Sequence, residues 1–124
     1  MRVLVVDDSK TMRRIVKGVL ETVGATAVEE AVDGQDALSK VDAFKPDLIL
    51  LDWNMPVMDG LTFVKTFRGK GMKTPIIMVT TEAGKSQVVE AIKAGINNYA
   101  VKPFTPEGLS KIIEATMAKV AQSA

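Results

Sequence analysis

Two residue types that carry much of protein chemistry are missing from this sequence: its 124 residues include no cysteine and no histidine. Without cysteine there is no disulfide, no thiolate nucleophile and none of the common structural zinc sites. Without histidine, any imidazole ligand, proton shuttle or phosphohistidine must come from another molecule. The chemistry of this protein must therefore depend on carboxylates, hydroxyls, lysines and the backbone.

Long apolar runs and a strong net charge are missing as well. No apolar run approaches the roughly 20 residues of a transmembrane helix, and a strand-like segment begins too close to Met1 to leave room for a signal peptide. A net charge of +1 and a pI of about 7.9 favour neither nucleic acid nor a membrane surface as a partner. We therefore expect a cytoplasmic protein with one domain over residues 1–124. No feature indicates an oligomer, so we expect a monomer.

Short apolar runs alternate along the chain with stretches in which apolar residues recur at helical spacing. This alternation predicts five strands and five helices, and hence a parallel sheet with helices on both faces. The predicted strands cover residues 3–6, 27–31, 48–51, 76–79 and 99–101.

The second predicted strand is more polar than the others because it carries Glu29 and Glu30, so we expect it at an edge. The first, third and fourth are the most apolar and are expected at the centre of the sheet. Right-handed crossovers leave few arrangements, and the doubly wound, flavodoxin-like order 2-1-3-4-5 fits this pattern. We therefore predict an α/β (βα)5 fold of this type. Ligands of such folds bind outside the carboxyl ends of the strands, here between the first and the third.

Charged or hydroxyl-bearing residues follow four of the predicted strands, namely Asp7 and Asp8, Asp52, Thr80 and Lys102. Carboxylates that meet at one sheet edge repel one another unless a cation neutralises them, and a hard ion such as Mg²⁺ suits oxygen ligands. Lys102 and Thr80 would offer a positive charge and a hydroxyl donor to a charged group in transfer. Because aspartate is an established covalent phosphoryl acceptor, this pattern predicts phosphoryl transfer to Asp52.

The same residues resemble a known family. Asp7-Asp8, Asp52, Thr80 and Lys102-Pro103 stand in the order and spacing of the receiver domain of bacterial response regulators. The resemblance extends over essentially the whole chain. It also includes Thr11-Met12-Arg13-Arg14-Ile15-Val16, Asp52-Trp53-Asn54-Met55-Pro56, Met58-Asp59-Gly60 and Val101-Lys102-Pro103-Phe104-Thr105.

The resemblance implies a role for each residue around the predicted acceptor. Asp52 matches the phosphoryl acceptor, and Asp7 and Asp8 match the acidic pair that holds Mg²⁺. Asn54 matches the position that offers its backbone carbonyl to the metal. The ligand set implied for Mg²⁺ is therefore Asp7, Asp8, Asp52 and Asn54.

Further roles follow for the last two strand ends. Lys102 matches the lysine that contacts the phosphoryl group, and its bond to Pro103 is expected to be cis. Thr80 and Tyr99 match the switch pair, in which the hydroxyl moves toward the phosphoryl group and the ring turns inward. This change repacks the face of the fourth helix, fifth strand and fifth helix, where targets of similar proteins bind. Phosphorylation would thus bias a pre-existing two-state equilibrium.

Three positions are expected to set the lifetime of the phosphorylated state. In similar proteins the residues at Asn54 and Glu82 flank the water that hydrolyses the acyl phosphate, and both match chemotaxis-type members here. Thr81 departs from these members, which often carry alanine, and its bulk is predicted to slow access to the site.

The resemblance implies a signalling switch rather than an enzyme acting on an outside substrate. It would receive phosphoryl groups from a histidine kinase, in chemotaxis above all, and bind a downstream target such as a flagellar motor switch component. The chain ends soon after the fifth predicted helix, so we expect no DNA-binding module. The alternative is a phosphorelay intermediate or phosphate sink that passes the group to a phosphotransferase.

Two unrelated functions fit the sequence less well. A phosphatase of the haloacid dehalogenase type would need a second aspartate where Asn54 stands. A flavin-binding domain on the same fold would need a phosphate loop rich in Gly, Ser and Thr after the first strand, and this stretch is absent.

Two surface features are also predicted. Lys10, Arg13, Arg14 and Lys17 form a basic stripe on the first helix, expected to be a solvated surface or a kinase-docking site. Trp53 is expected to be a partly exposed loop residue whose fluorescence reports on the site.

Overall fold

A computed structural model of the chain describes residues 1–82 and 84–123, and within this part the backbone forms one parallel sheet with helices on both faces. The strand order is β2-β1-β3-β4-β5, and every neighbouring pair is parallel. The strands are β1 (Arg2–Val6), β2 (Ala27–Ala31), β3 (Leu48–Leu51), β4 (Ile76–Thr80) and β5 (Asn98–Val101). The predicted doubly wound order and the edge position of β2 are confirmed.

Helices follow each strand, and side-chain caps mark where three of them begin. Ser9, Asp33 and Asp59 each accept a hydrogen bond from a backbone N–H in the first turn of the helix that follows. The helices are α1 (Lys10–Thr22), α2 (Gly34–Phe44), α3 (Gly60–Gly69), α4 (Lys85–Ala94) and α5 (Pro106–Ser123). No helix in the described part of the chain is both long and apolar enough to cross a membrane.

Alternate residues of the central strands face two separate cores. Leu4 and Val6 of β1 pack with apolar side chains of α2, α3 and α4, whereas Val3 and Val5 pack with those of α1 and α5. Because both faces are covered, β1, β3 and β4 read as continuous apolar runs. Burial of each large aliphatic side chain contributes about 1.5–3 kcal/mol, which holds the strand ends in a fixed arrangement.

Candidate functional site

The register of the sheet brings two aspartates together. Val6 of β1 pairs with Leu51 of β3, so the next residues along each strand, Asp7 and Asp52, lie side by side. The Asp52 N–H donates to the carbonyl of Val6 at 2.9 Å and continues the ladder beyond the strand. Carboxylate oxygens of Asp7, Asp8 and Asp52 all lie within 4.8 Å of one another.

These three carboxylates differ in their access to water. Asp7 is 4% exposed and Asp52 is 9% exposed, whereas Asp8 lies on the surface. Burial raises the pKa of the Asp52 carboxyl; the charge of Lys102 opposes this shift and that of Asp7 adds to it. Asp52 is therefore a poorly hydrated carboxylate that faces a second negative charge.

Lys102 reaches this group from the opposite side of the site. Val101 pairs with Thr80 at the ends of β5 and β4, and the Lys102 N–H donates to the Thr80 carbonyl at 2.9 Å. The Lys102 Nζ lies 2.9 Å from Asp7 Oδ2 and 3.4 Å from Asp52 Oδ2. The predicted cis bond between Lys102 and Pro103 is present. One ammonium thus balances part of the charge of two carboxylates.

The loop after β3 is held tightly behind Asp52. The Trp53 N–H donates to Asp52 Oδ1 at 2.8 Å, and the Gly60 N–H donates to the Trp53 carbonyl at 2.8 Å. A Cβ at position 60 would collide with the Asp52 carbonyl, so only glycine permits this approach. The loop therefore fixes one Asp52 oxygen and leaves Oδ2 on the side of Lys102.

Trp53 is not partly exposed as predicted. It is 9% exposed, and its side chain belongs to the apolar core on the α2, α3 and α4 side of the sheet. The surrounding run of polar residues and proline suggests an open loop, but the loop closes through the hydrogen bond from Gly60 to Trp53, and the indole packs in the core. Trp53 is still the immediate neighbour of Asp52 and so remains a probe of the site.

The residues predicted to tune the phosphorylated state lie in the loops that follow β3 and β4. Asn54 Nδ2 donates to Glu82 Oε1 at 2.8 Å, so these two side chains are in contact. Thr80 is fully buried, and its Oγ1 accepts a hydrogen bond from the Glu82 N–H at 3.2 Å. Thr81 is exposed. Residue 83 lies outside the described part of the chain.

Tyr99 lies on β5, which neighbours Thr80, and its ring is turned toward the protein. Its hydroxyl oxygen is buried and has no hydrogen-bond partner among the described residues. Burial raises the pKa of this hydroxyl, and the negative charge of Glu82 adds to the effect. An unsatisfied buried hydroxyl is unusual in a folded protein.

The predicted basic stripe on α1 is only partly exposed to solvent. Lys10 and Arg14 are exposed, but Arg13 is 9% exposed and lies on the buried side of the helix with Val16 and Leu20. Its place in the stripe was therefore predicted wrongly. The spacing gives the signal that was overlooked, because positions 13, 16 and 20 share one face of a helix.

The comparisons with known proteins agree with this geometry. Residues 3–114 match the family described as the response regulator receiver domain. The chain belongs to this family. It is 50% identical over 120 residues to chemotaxis protein CheY1 of Helicobacter pylori, covering 94% of this chain and 97% of that protein. It is 51% identical over 119 residues to the chemotaxis protein CheY homolog of Campylobacter jejuni, covering 92% of this chain and 90% of that protein.

Solved structures give the same result for the fold. Chemotaxis response regulator CheY4 of Vibrio cholerae superposes with a TM-score of 0.85 at 41% identity, covering 93% of this chain and 97% of that one. A CheY-like receiver domain from Methanospirillum hungatei superposes with a TM-score of 0.90 at 28% identity, covering 99% and 98%.

The donor set of this receiver domain fits a hard divalent cation. Asp7, Asp8 and Asp52 offer carboxylate oxygens and no nitrogen or sulfur ligand stands among them, which suits Mg²⁺ better than zinc. Asp8 is exposed at the open side of the group, where a cation can enter with part of its water. Receiver domains generally use Mg²⁺, and these residues are equipped to hold it.

Proposed function

We propose that this receiver domain, spanning residues 1–124, accepts a phosphoryl group on Asp52, signals the change through its β4–β5 side and then loses the group by hydrolysis. The observation that supports this most is the contact of Lys102 with both Asp7 and Asp52. This contact joins a buried carboxylate, a neighbouring acidic group and a single cation at the ends of three strands. The protein would act as a switch that catalyses its own modification, not as an enzyme with an outside substrate.

In the proposed transfer, Asp52 Oδ2 attacks the phosphorus of a phosphohistidine. A bond forms between this oxygen and phosphorus, the phosphorus–nitrogen bond breaks, and the imidazole leaves with the electron pair. The Lys102 ammonium, 3.4 Å from Asp52 Oδ2, stabilises the charged oxygens of the group in transfer. Burial of Asp52 excludes water from the acceptor and strengthens this interaction.

Asp7, Asp8 and Asp52 would hold Mg²⁺, with the backbone carbonyl of Asn54 as a further ligand. When bound, the ion would neutralise the carboxylates and bind an oxygen of the phosphoryl group. Lys102 serves part of this purpose by binding Asp7 and Asp52. The lysine is thus placed to move from the carboxylates to the phosphoryl group.

The switch would run from Thr80 to Tyr99. The Thr80 hydroxyl accepts only the Glu82 N–H among the described residues, so its proton is available to a phosphoryl oxygen. The buried Tyr99 hydroxyl, which has no partner in the described part of the chain, would then settle in a new arrangement. Apolar side chains of Val89, Ile92 and Val101 are exposed on the adjoining surface of α4 and β5. We assign the target-binding face to this surface together with α5.

Hydrolysis would set the lifetime of the signal. Water attacks the phosphorus, the bond between Asp52 Oδ2 and phosphorus breaks, and inorganic phosphate leaves. The contact of Asn54 with Glu82 supports this, since it brings an amide and a carboxylate together two residues beyond Asp52 and two beyond Thr80. Thr81, exposed beside them, would slow the entry of water.

The partners follow from the chemistry and from the relatives. With no histidine of its own, the chain must receive the group from another protein, and a histidine kinase of the chemotaxis type is proposed. The relatives are chemotaxis proteins, so we propose chemotaxis signalling in the cytoplasm. A flagellar motor switch component is the proposed target.

Incubation with Mg²⁺ and acetyl phosphate, followed by intact mass, tests the central proposal. The chain should gain the mass of one phosphoryl group, and Asp52→Asn should gain none. Asp59→Asn is the matched control, since Asp59 lies on the same loop but caps α3, which asparagine also does well. No gain in the wild type, or a gain that survives in Asp52→Asn, would refute the assignment of the acceptor.

A further inference from the structure

The carbonyl group of Asp7 has an unusual partner. The Arg13 Nη1 donates to it at 2.7 Å, and the contact is buried. The other polar atoms of Asp7 are also bound: its N–H donates to the Ala31 carbonyl at 3.1 Å, Oδ1 accepts from the Ser9 N–H at 2.9 Å, and Oδ2 accepts from Lys102 at 2.9 Å. The backbone N–H and carbonyl of Asp7 and both of its carboxylate oxygens are therefore fixed by hydrogen bonds.

Arg13 is itself anchored by Glu30 of the edge strand. Its Nε donates to Glu30 Oε1 at 2.8 Å, and the side chain of Arg13 is 11% exposed. The hydrogen bond from Arg13 is the largest influence that lowers the pKa of the Glu30 carboxyl, which remains charged near neutral pH. Lys17 also contacts Glu30, at 3.2 Å, but makes no contact with Asp7. The guanidinium therefore joins β2 to the end of β1.

Asp8 depends on the same peptide group. The carbonyl held by Arg13 belongs to the peptide that links Asp7 to Asp8, and rotation of this peptide would swing the Asp8 backbone and carboxylate. Within residues 1–82 and 84–123, no side chain or backbone group binds the Asp8 carboxylate. Its placement within 4.8 Å of the other two carboxylates therefore comes from the backbone that carries it.

We infer that Arg13 is a positioning residue for the cation site: anchored on Glu30, its guanidinium holds the Asp7–Asp8 peptide and so presents the Asp8 carboxylate to the ion. This inference rests on the proposed cation site. The guanidinium suits this task because its planar fork can bind a carboxylate and a carbonyl in fixed directions, which a lysine ammonium cannot.

The positive charge of Arg13 and its hydrogen bond to Asp7 should have opposite effects on cation binding, and this allows a decisive test. A positive charge near the site repels a divalent cation, so its removal alone would strengthen Mg²⁺ binding. Loss of the hydrogen bond to Asp7 would weaken binding, since residues that orient metal ligands typically contribute on the order of tenfold or more in affinity. The direction of the change in Arg13→Gln therefore separates the two roles.

The experiment is a titration of the full chain with Mg²⁺ alone, followed by Trp53 fluorescence and by calorimetry. We expect Arg13→Gln to bind Mg²⁺ on the order of tenfold more weakly than the wild type. Lys17→Gln is the matched control, because it removes the other cation on Glu30 without touching Asp7; it should bind as tightly as the wild type or more tightly. Urea unfolding of each variant separates loss of affinity from loss of stability.

Arg13→Lys is the second variant. It keeps the positive charge next to Glu30, and it tests the inference even where Arg13→Gln does not fold. It should also bind Mg²⁺ more weakly than the wild type, because one ammonium does not reproduce both contacts. Unchanged or stronger binding in Arg13→Gln, or wild-type affinity in Arg13→Lys, would overturn the positioning role while leaving the cation site intact. A wild type that binds no Mg²⁺ would overturn both.

Discussion

The two sides of the acidic site differ in how completely their polar groups are bound. On the side of β1, α1 and β2, each polar atom of Asp7 has a partner, and Arg13 is held by Glu30. On the side of β4 and β5, the Tyr99 hydroxyl is buried without a partner in the described part of the chain, and Lys102 is shared between two carboxylates.

This difference corresponds to two tasks that one switch must combine. The proposed cation and acceptor groups need a fixed geometry, and the network that binds every polar atom of Asp7 contributes to it. The responding groups need a second arrangement of similar free energy, which a fully satisfied network would oppose. We call the first the fixed side and the second the responsive side. Four variants test whether the distinction holds.

Lys102→Met should have the largest effect, since it removes the cation that joins the responsive side to the acceptor. Loss of a charge-stabilising donor slows comparable transfers by about 100-fold to 1,000-fold, so uptake from acetyl phosphate should slow on that scale. Mg²⁺ should bind more tightly, because a competing positive charge near Asp7 and Asp52 is gone. Intact mass over time and a Mg²⁺ titration measure the two results.

Lys65→Met is the control for Lys102→Met. Lys65 is exposed on α3 and has no ion pair among the described residues, so both measurements should match the wild type. If Lys102→Met accepts the phosphoryl group at the normal rate, the responsive side is not coupled to the acceptor through this lysine.

Tyr99→Phe should make the fold more stable. The buried Tyr99 hydroxyl has lost its water without gaining a partner in the described structure, and an unsatisfied group of this kind costs about 1–3 kcal/mol. Its removal should raise the free energy of unfolding by about 1 kcal/mol, measured with urea in the absence of Mg²⁺.

Thr116→Val provides the matched contrast, because this buried hydroxyl is satisfied. It donates to the Ile112 carbonyl at 2.7 Å and accepts from Asn98 Nδ2 at 3.0 Å. The substitution should lower the free energy of unfolding by about 1 kcal/mol. Equal losses of stability in both variants would mean that the Tyr99 hydroxyl finds a partner in solution, and the responsive side would then contain no unpaired hydroxyl at this position.

Thr81→Ala tests an exposed side chain directly after β4, on the responsive side. If the exposed Thr81 side chain slows the entry of water, alanine should shorten the lifetime of the phosphorylated chain. We expect a change of about threefold, corresponding to about 0.7 kcal/mol in the barrier. Release of phosphate after removal of the donor measures it, with Thr62→Ala on α3 as the control. An unchanged rate would exclude Thr81 as a determinant of lifetime.

The fold and the fixed positions of the site could largely be predicted from the sequence. Apolar runs and polar strand ends leave little freedom, and all five predicted strands are present to within one residue. The approach of Asp7, Asp52 and Lys102 follows from parallel strands that end at the same edge. Their assignment to phosphoryl transfer owed more to the family resemblance than to spacing.

The predictions that failed concern side chains that contact distant parts of the chain. The helical spacing of Arg13 with Val16 and Leu20 could have indicated its buried position. Its partner Glu30, which is 17 residues away, could not be read from this spacing. Trp53 is in a loop as predicted, but the loop closes at Gly60 and the side chain is buried instead of partly exposed. The Tyr99 hydroxyl, which has no partner among residues 1–82 and 84–123, has no signal in the sequence because it depends on the direction in which one ring turns. Local sequence patterns predict the helix, strand or loop in which a residue lies, but not its contacts with residues distant in the sequence.

Glu30→Gln should have the smallest effect, and it tests the charge of the fixed side. The Arg13 hydrogen bond, with help from Lys17, lowers the pKa of the Glu30 carboxyl below its ordinary value of 4.5. A lowered pKa in the folded state stabilises the fold above pH 4.5, and this contribution is lost as the pH falls through the folded-state pKa. Because the Glu30 side chain is 36% exposed, solvent limits the contribution to about 0.5 kcal/mol.

The free energy of unfolding of Glu30→Gln should therefore lie below that of the wild type near neutral pH, and the difference should shrink as the pH falls below 4.5. Urea unfolding in a chelating buffer measures this, with Glu90→Gln, an exposed residue on α4, as the control. A difference that stays constant over this range would mean that Arg13 needs only an acceptor at position 30. The fixed side would then depend on hydrogen bonding rather than on charge, and Mg²⁺ binding should stay insensitive to Glu30→Gln as well.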